Sequence, residues 1–194
     1  MRVKSKWFKG GREKTPQEIA GAAAFIIWRI GQNVLKNTRK ADFDVAVGEQ
    51  YFTFLSEFLI FLVQAADRVA YGRFSAEARV VFTTTLAQRV AETLAENQGE
   101  LLGGEINEHK GNFIDRLNLR AGEYAGFEYG KDGPSFSFLR YLAHCMLDIV
   151  DERDKSWVID QMMEIEAPEA IAMLEKAMQG LLETAPAQIY LPAQ

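Results

Sequence analysis

The sequence predicts an all-α protein, a single-domain bundle of about seven helices, and two observations favour this fold class. No run of the chain resembles a β-meander with turns about every ten residues. The stretch over about residues 44–72 is apolar around about two thirds of its circumference at helical spacing. A helix of that kind needs neighbours on several sides. We therefore expect the 194-residue chain to be built around this central helix.

One arc of the central helix is polar. Its members lie on one side at about 100° per residue, and they are Glu49, Gln50, Thr53, Ser56, Glu57, Gln64, Asp67 and Arg68. We interpret the arc as a stripe that faces solvent, and the alternative is a polar seam buried against another helix or a ligand. The longest wholly apolar run, residues 58–63, is shorter than the roughly 20 residues of a membrane span. We therefore predict no transmembrane segment.

The other helices are predicted from caps, chain breakers and apolar stripes. Their expected ranges are 16–39, 75–97, 112–129, 135–150, 155–166 and 168–183. The glycine-rich stretch 99–111 is predicted to be the longest loop. It lacks the Gly-Lys-Ser/Thr ending of a phosphate-binding loop, so we assign it no nucleotide site.

The composition indicates a globular protein. Apolar residues make up 48% of the chain and charged residues 25%, which excludes wholesale disorder. The net charge of −5 argues against a protein whose whole surface binds nucleic acid. A single cysteine, Cys145, cannot form an internal disulfide, and a cytoplasmic location is the simplest prediction.

The two ends of the chain differ from its body. Residues 1–14 hold six basic side chains and one acid, a charge of +5, so the other 180 residues sum to −10. We expect a basic flexible tail over 1–14, a helical domain over 15–184 and an extended tail over 185–194. Trp7 and Phe8 lie among the lysines, so contact of the basic tail with nucleic acid or an anionic membrane is an alternative.

The first helix has two apolar faces. Phe25, Trp28 and Leu35 lie opposite the stripe that begins with Ile19. Two such faces predict a helix sandwiched within the chain, and the alternative is a face shared with a second copy. Gly21 is expected to let a neighbouring helix approach closely.

The residues that could carry out chemistry form no recognised constellation. The residues three before His109 and His144 are Ile106 and Tyr141, so the Glu-x-x-His pairs of a di-metal bundle are missing. We expect His109 in a solvated loop, His144 at the core boundary and Cys145 as a buried thiol. The sequence therefore predicts no catalytic residue, no metal and no cofactor.

The end of the central helix holds the most prominent polar group. Asp67 and Tyr71 are four residues apart and can meet along one face. Arg68 lies on a very apolar helix and should be paired, for instance with Glu77 or Glu123. The functional alternative is that these residues recognise an anionic ligand or a partner.

The run ADRVAYGRFSAEARVVFTTTL, residues 66–86, resembles a motif of functionally uncharacterised bacterial helical proteins. In those proteins a helix ending in Asp-Arg-x-Ala-aromatic is followed by a short link and a helix rich in arginine and phenylalanine. The resemblance covers about a tenth of the chain. It implies a bacterial all-helical protein and supplies no catalytic residue.

These observations predict a non-catalytic cytoplasmic interaction or scaffold protein. Its partner is another protein or a second copy of the chain. The expected interaction surface consists of Trp7, Phe8, Phe25, Trp28 and Leu35.

The alternative function is a small-molecule-binding or catalytic helical bundle. Its pocket is expected near Arg68 or His144, with aromatic walls formed by Tyr124, Phe127, Phe138 and Tyr141. The candidate contact residues for a ligand or partner are Asp67, Arg68, Tyr71, Tyr124, Tyr141 and His144.

Overall fold

The computed structural model describes residues 13–185, and helices form most of them. Their bounds are α1 (Pro16–Lys40), α2 (Glu49–Tyr71), α3 (Ala76–Leu102), α4 (Ile106–Tyr124), α5 (Phe136–Leu147), α6 (Lys155–Asp160) and α7 (Ala167–Leu182). A π-helical turn, Gln161–Glu166, joins α6 to α7 without a break. The all-α prediction is confirmed, although the described residues form six continuous helices rather than about seven.

Helix α2 lies at the centre of the molecule, as the sequence predicts. It packs against α1, α3, α4, α5 and α7. The rings of Phe54, Phe58 and Phe61 are fully buried. The helix begins at Glu49 rather than near residue 44, and its N-cap is Gly48. The burial of α2 on several sides explains why so much of its circumference is apolar.

The polar arc of α2 is covered rather than solvated in its middle. Ser56 is 9% exposed and Glu57 only 4% exposed, while Gln64, Asp67 and Arg68 are half-buried. The interpretation as a solvent-facing stripe is therefore wrong for this part of the helix. Polar side chains of α3 and α4 pair with the arc, and these partners cannot be read from the pattern of α2 alone.

Helix α1 is sandwiched within the chain. It packs against α2, α3 and α7, and both Trp28 and Leu35 are buried, whereas Phe25 is 65% exposed. The close approach to α2 occurs at Gly31, where a Cβ would lie 2.9 Å from Leu59 Cδ2. At Gly21 a Cβ would meet nothing within 4 Å, so the expectation for that glycine is wrong.

The predicted loop over 99–111 is wrong. Helix α3 continues to Leu102, and α4 begins at Ile106. Gly103 and Gly104 have positive φ angles of 77° and 87°, so they make a tight turn between the two helices. His109 therefore lies in the first turns of α4, where its Nε2 is 2.7 Å from the carbonyl oxygen of Gly103.

Helix α4 ends five residues earlier than predicted. A small antiparallel hairpin follows, with strands β1 (Tyr129–Gly130) and β2 (Gly133–Pro134). The Tyr129 hydroxyl donates to Glu175 Oε1 at 2.7 Å and so fastens the hairpin to α7.

The described ends of the chain lie together. The Lys14 backbone N–H donates to the Thr184 carbonyl at 2.7 Å. Residues 1–12 and 186–194, and with them Trp7, Phe8 and most of both predicted tails, lie outside the described residues. None of the helices of residues 13–185 combines the length and apolarity that a membrane crossing requires.

Candidate functional site

A groove of about 470 Å³ runs along α2, α3 and α4, and we call it the α2–α3–α4 groove. Each helix contributes residues at i, i+3 or i+4 spacing, so each presents one face to it. The lining residues are Val63, Gln64, Asp67, Thr83, Thr84, Ala87, Gln88, Lys110, Ile114, Leu117, Asn118 and Ala121.

The floor of the groove is apolar. Val63 and Leu117 are buried, and Ala87, Ile114 and Ala121 are half-buried beside them. The volume lies within the range of about 300–1,000 Å³ that is typical of small-molecule sites. Apolar walls with a few polar groups around them are the usual composition of such sites.

The acidic residue of the groove, Asp67, has both carboxylate oxygens occupied. Its Oδ1 accepts hydrogen bonds from Arg79 Nε at 2.9 Å and from Thr83 Oγ1 at 2.6 Å, and its Oδ2 accepts from Arg79 Nη2. The hydrogen bonds to Asp67 raise the pKa of the Arg79 guanidinium. The same guanidinium lies 4.7 Å from the ring centre of Tyr71. Asp67 and Tyr71 thus both contact Arg79, and a direct contact between the two stays a prediction.

The basic residue of the groove, Lys110, is also paired. Its Nζ lies 2.9 Å from Glu92 Oε1, and Arg89 approaches the other oxygen of Glu92 at 3.3 Å. The hydrogen bond from Lys110 lowers the pKa of Glu92, although partial burial opposes that shift. Lys110 is about one third exposed, so the pair lies at the mouth of the groove.

Three carboxamide side chains border the groove from three helices. Gln64 comes from α2, Gln88 from α3 and Asn118 from α4. Within residues 13–185, none of the three makes a side-chain hydrogen bond to another residue. Their donors and acceptors are therefore available to a molecule in the groove.

Arg68 pairs with a different group from the ones expected. Its Nη2 donates to the Tyr124 carbonyl oxygen at 2.9 Å, at the C-terminal end of α4. This contact satisfies one of the carbonyl groups that a helix end leaves unpaired. The predicted interhelical anchor is present, but its acceptor is a backbone carbonyl rather than Glu77 or Glu123. Arg68 also lines a broad, open depression of about 690 Å³ over residues 125–135.

The predicted aromatic pocket is filled, because the rings that were expected to line it pack against one another. The Tyr124 ring lies 4.6 Å from that of Phe138 and 5.0 Å from that of Tyr141, and Phe127 lies 5.5 Å from Tyr141. Burial raises the pKa of Tyr124 well above its ordinary value. His144 is exposed to solvent rather than at the core boundary. That these residues contact a ligand or partner stays a prediction.

A buried ion pair joins α2 to α4. Glu57 accepts from Arg120 Nη2 at 2.8 Å and from Arg120 Nε at 3.0 Å, and Arg116 lies 3.5 Å away. Arg120 also donates to the Tyr141 hydroxyl at 3.2 Å. The hydrogen bonds to Glu57 raise the pKa of the Arg120 guanidinium above its ordinary value. These groups are fully engaged with one another, so we read the pair as structural.

Among residues 13–185, Cys145 is the candidate nucleophile, and the histidines and acidic residues are the candidate metal ligands. Cys145 is buried as predicted, and burial raises the pKa of its thiol to about 11, so it is protonated at neutral pH. Within residues 13–185, no group of three histidine, cysteine, aspartate or glutamate side chains could hold a metal ion.

Comparison of the chain with family models, with curated proteins and with solved structures finds no match. Of the predicted contact residues, only Asp67 lines the α2–α3–α4 groove. Four other lining residues, Thr83, Gln88, Lys110 and Asn118, were not predicted from the sequence. Lys110, Ile114 and Asn118 are spaced four residues apart, which places them on one face of a helix. This spacing does not reveal which other helices that face meets.

Proposed function

We propose that this protein is a non-catalytic small-molecule-binding protein whose ligand lies in the α2–α3–α4 groove. The observation that supports the proposal best is the apolar floor of Val63 and Leu117, which is bordered by carboxamides from three helices. Small-molecule sites combine an apolar surface with a few convergent polar groups in this way.

Binding is favoured over catalysis by the state of the titratable groups. A general base needs a free acceptor within reach of a substrate proton. Asp67 already accepts three hydrogen bonds, and the Thr83 hydroxyl donates one of them. Lys110 is paired with Glu92 and therefore makes a poor nucleophile.

The interaction or scaffold function and the homodimer stay predictions with less support. Two of the expected surface residues, Trp28 and Leu35, belong to the core, whereas Phe25 is exposed. Single exposed apolar residues are common on monomeric proteins. A cytoplasmic location likewise stays a prediction.

The proposal is tested by filling the groove. Ala121 is half-buried and lines the groove, whereas Ala172 is exposed on α7 and does not line it. We expect Ala121→Phe to abolish the binding of small molecules found by ligand-observed NMR, because the ring occupies the apolar floor. The matched control, Ala172→Phe, should bind like the unsubstituted protein.

Folding of both variants is checked by their thermal unfolding. If the Ala121→Phe variant is folded and retains every ligand found for the unsubstituted protein, the groove is not the binding site and the proposal fails.

A further inference from the structure

The charged side chains of the α2–α3–α4 groove already have partners within the protein. Asp67 and Lys110 are the charged residues that line it. Asp67 is held by Arg79 and Thr83, and Lys110 by Glu92. An ionic ligand therefore competes with these partners: a cation finds both oxygens of Asp67 occupied, and an anion shares Lys110 with Glu92. Either arrangement costs free energy through lost pairing and desolvation.

Unlike the charged side chains, the three carboxamide side chains of the groove have no partner within residues 13–185. Gln64, Gln88 and Asn118 make no side-chain hydrogen bonds to other residues of the described chain. A carboxamide presents a carbonyl acceptor and two N–H donors side by side. Its natural complement is another planar group that carries a donor beside an acceptor.

The shape of the groove adds a second requirement. Val63 and Leu117 close the floor, and the small side chains of Ala87 and Ala121 leave room above it. Such a surface favours an apolar body that contacts the floor while its polar edge reaches the rim.

We propose that the ligand of the α2–α3–α4 groove is an uncharged molecule with a planar apolar body and a carboxamide, lactam or urea edge. Gln64, Gln88 and Asn118 recognise that edge by paired N–H···O hydrogen bonds. Both ion pairs of the groove stay intact in the complex. The inference rests on the proposed function and specifies its ligand class.

The test uses two probe pairs that match in shape and differ in charge: benzamide with benzoate, and nicotinamide with nicotinate. Each probe is titrated into the full ¹⁵N-labelled chain, and the backbone resonances are followed. We expect the two amides to shift resonances of α2, α3 and α4 around the groove. They should bind at least about tenfold more tightly than the carboxylates, because an unmatched polar edge is rejected strongly.

Two substitutions at the rim test the recognition. Gln88 and Asn118 are exposed, so Gln88→Met and Asn118→Leu should leave the fold unchanged. Each is expected to weaken amide binding about tenfold, which is the effect of losing roughly one well-placed hydrogen bond. Gln179→Met, at an exposed position of α7, is the matched control and should bind amides normally.

A third substitution should reverse the preference. Glu92→Gln removes the partner of Lys110 while the lysine stays at the mouth of the groove. We expect this variant to bind benzoate at least about tenfold more tightly than the unsubstituted protein does, because the ammonium then needs an anion.

The outcomes separate the ligand class from the site. Carboxylates that bind the unsubstituted groove as tightly as the amides overturn the uncharged class and leave the groove as a binding site. Normal amide binding by both Gln88→Met and Asn118→Leu overturns recognition by carboxamides. If no probe of either charge shifts the groove resonances, the uncharged ligand class is overturned, and the proposed function is then decided by the Ala121→Phe experiment alone.

Discussion

Glu57 is a buried carboxylate in the middle of the central helix, and the guanidinium of Arg120 balances its charge. The guanidinium contacts both carboxylate oxygens, while Arg116 lies 3.5 Å from one of them. A buried charge that loses its partner is strongly destabilising, whereas removal of both charges is often nearly neutral. The pair therefore holds α2 and α4 in register without adding much net stability.

We predict that Arg120→Met lowers the free energy of unfolding by about 3 kcal/mol, because the buried Glu57 loses its closest partner and keeps only Arg116 at 3.5 Å. The double variant Glu57→Met/Arg120→Met should recover at least half of that loss. Urea denaturation followed by circular dichroism measures both values. A double variant that is less stable than Arg120→Met alone would contradict this account of the pair.

Glu166 is the second deeply buried carboxylate, with 1% exposure, in the π-helical turn. Gln161 Nε2 donates to its Oε1 at 3.0 Å. Burial raises the pKa of Glu166 above its ordinary value, and the hydrogen bond from Gln161 only partly opposes this. The folded state therefore binds the Glu166 proton more tightly than the unfolded state does. This group's contribution to stability is full below about pH 4.5 and is lost as the pH rises through the raised pKa.

We predict that Glu166→Gln stabilises the protein at pH 7, by about 1 kcal/mol, because it removes a buried charge and keeps an acceptor for Gln161. The difference from the unsubstituted protein should shrink as the pH falls towards 4.5. Chemical denaturation at several pH values measures it. Glu164→Gln, at an exposed position of the same turn, is the control and should show no such trend. A difference that is constant with pH would rule out titration of Glu166 as its cause.

At the level of the elements, the largest difference between prediction and structure lies in the glycine-rich stretch 99–111. Four glycines between residues 99 and 111 predicted a loop, yet only Gly103 and Gly104 adopt positive φ angles and end a helix. Gly99 and Gly111 lie within α3 and α4. A glycine lowers helix stability by roughly 1 kcal/mol, which the packing of two antiparallel helices outweighs.

The junction of α6 and α7 shows a related effect for proline. Pro168 cannot donate a backbone hydrogen bond, and its ring crowds the carbonyl four residues earlier. The chain widens into a π-helical turn just before this proline and then continues as α7. Two helices predicted on either side of Pro168 are therefore one continuous element.

Helix α1 offers a matched pair of glycines. We predict that Gly21→Ala raises the free energy of unfolding by about 0.5–1 kcal/mol, because the added methyl meets nothing within 4 Å and alanine favours the helix. Gly31→Ala should lower it by about 1–3 kcal/mol, because its Cβ would lie 2.9 Å from the buried Leu59 side chain. Thermal and chemical unfolding measure both. A stabilising Gly31→Ala would show that α1 and α2 do not pack closely there.

At the level of the whole molecule, the sequence predicted what a single helix reveals and missed what depends on pairs of helices. The apolar circumference of α2 correctly placed it at the centre, and the two faces of α1 correctly placed it between neighbours. The polar arc was misread because its partners, Arg79 on α3 and Arg120 on α4, are distant in sequence. The α2–α3–α4 groove was missed for the same reason, because its lining residues come from three helices.

The central position of α2 implies that the described helices unfold together. Phe61 is fully buried, and its ring lies 5.6 Å from those of Phe58 and Phe138, which joins α2 to α5. We predict that Phe61→Ala lowers the free energy of unfolding by about 3–5 kcal/mol. Phe25→Ala, at a site 65% exposed, should change it by less than about 0.5 kcal/mol. Circular dichroism and tryptophan fluorescence should give the same urea midpoint for each variant, because α2 packs against α1, α3, α4, α5 and α7. Separate midpoints for Phe61→Ala would mean that α2 does not couple the bundle into one cooperative unit.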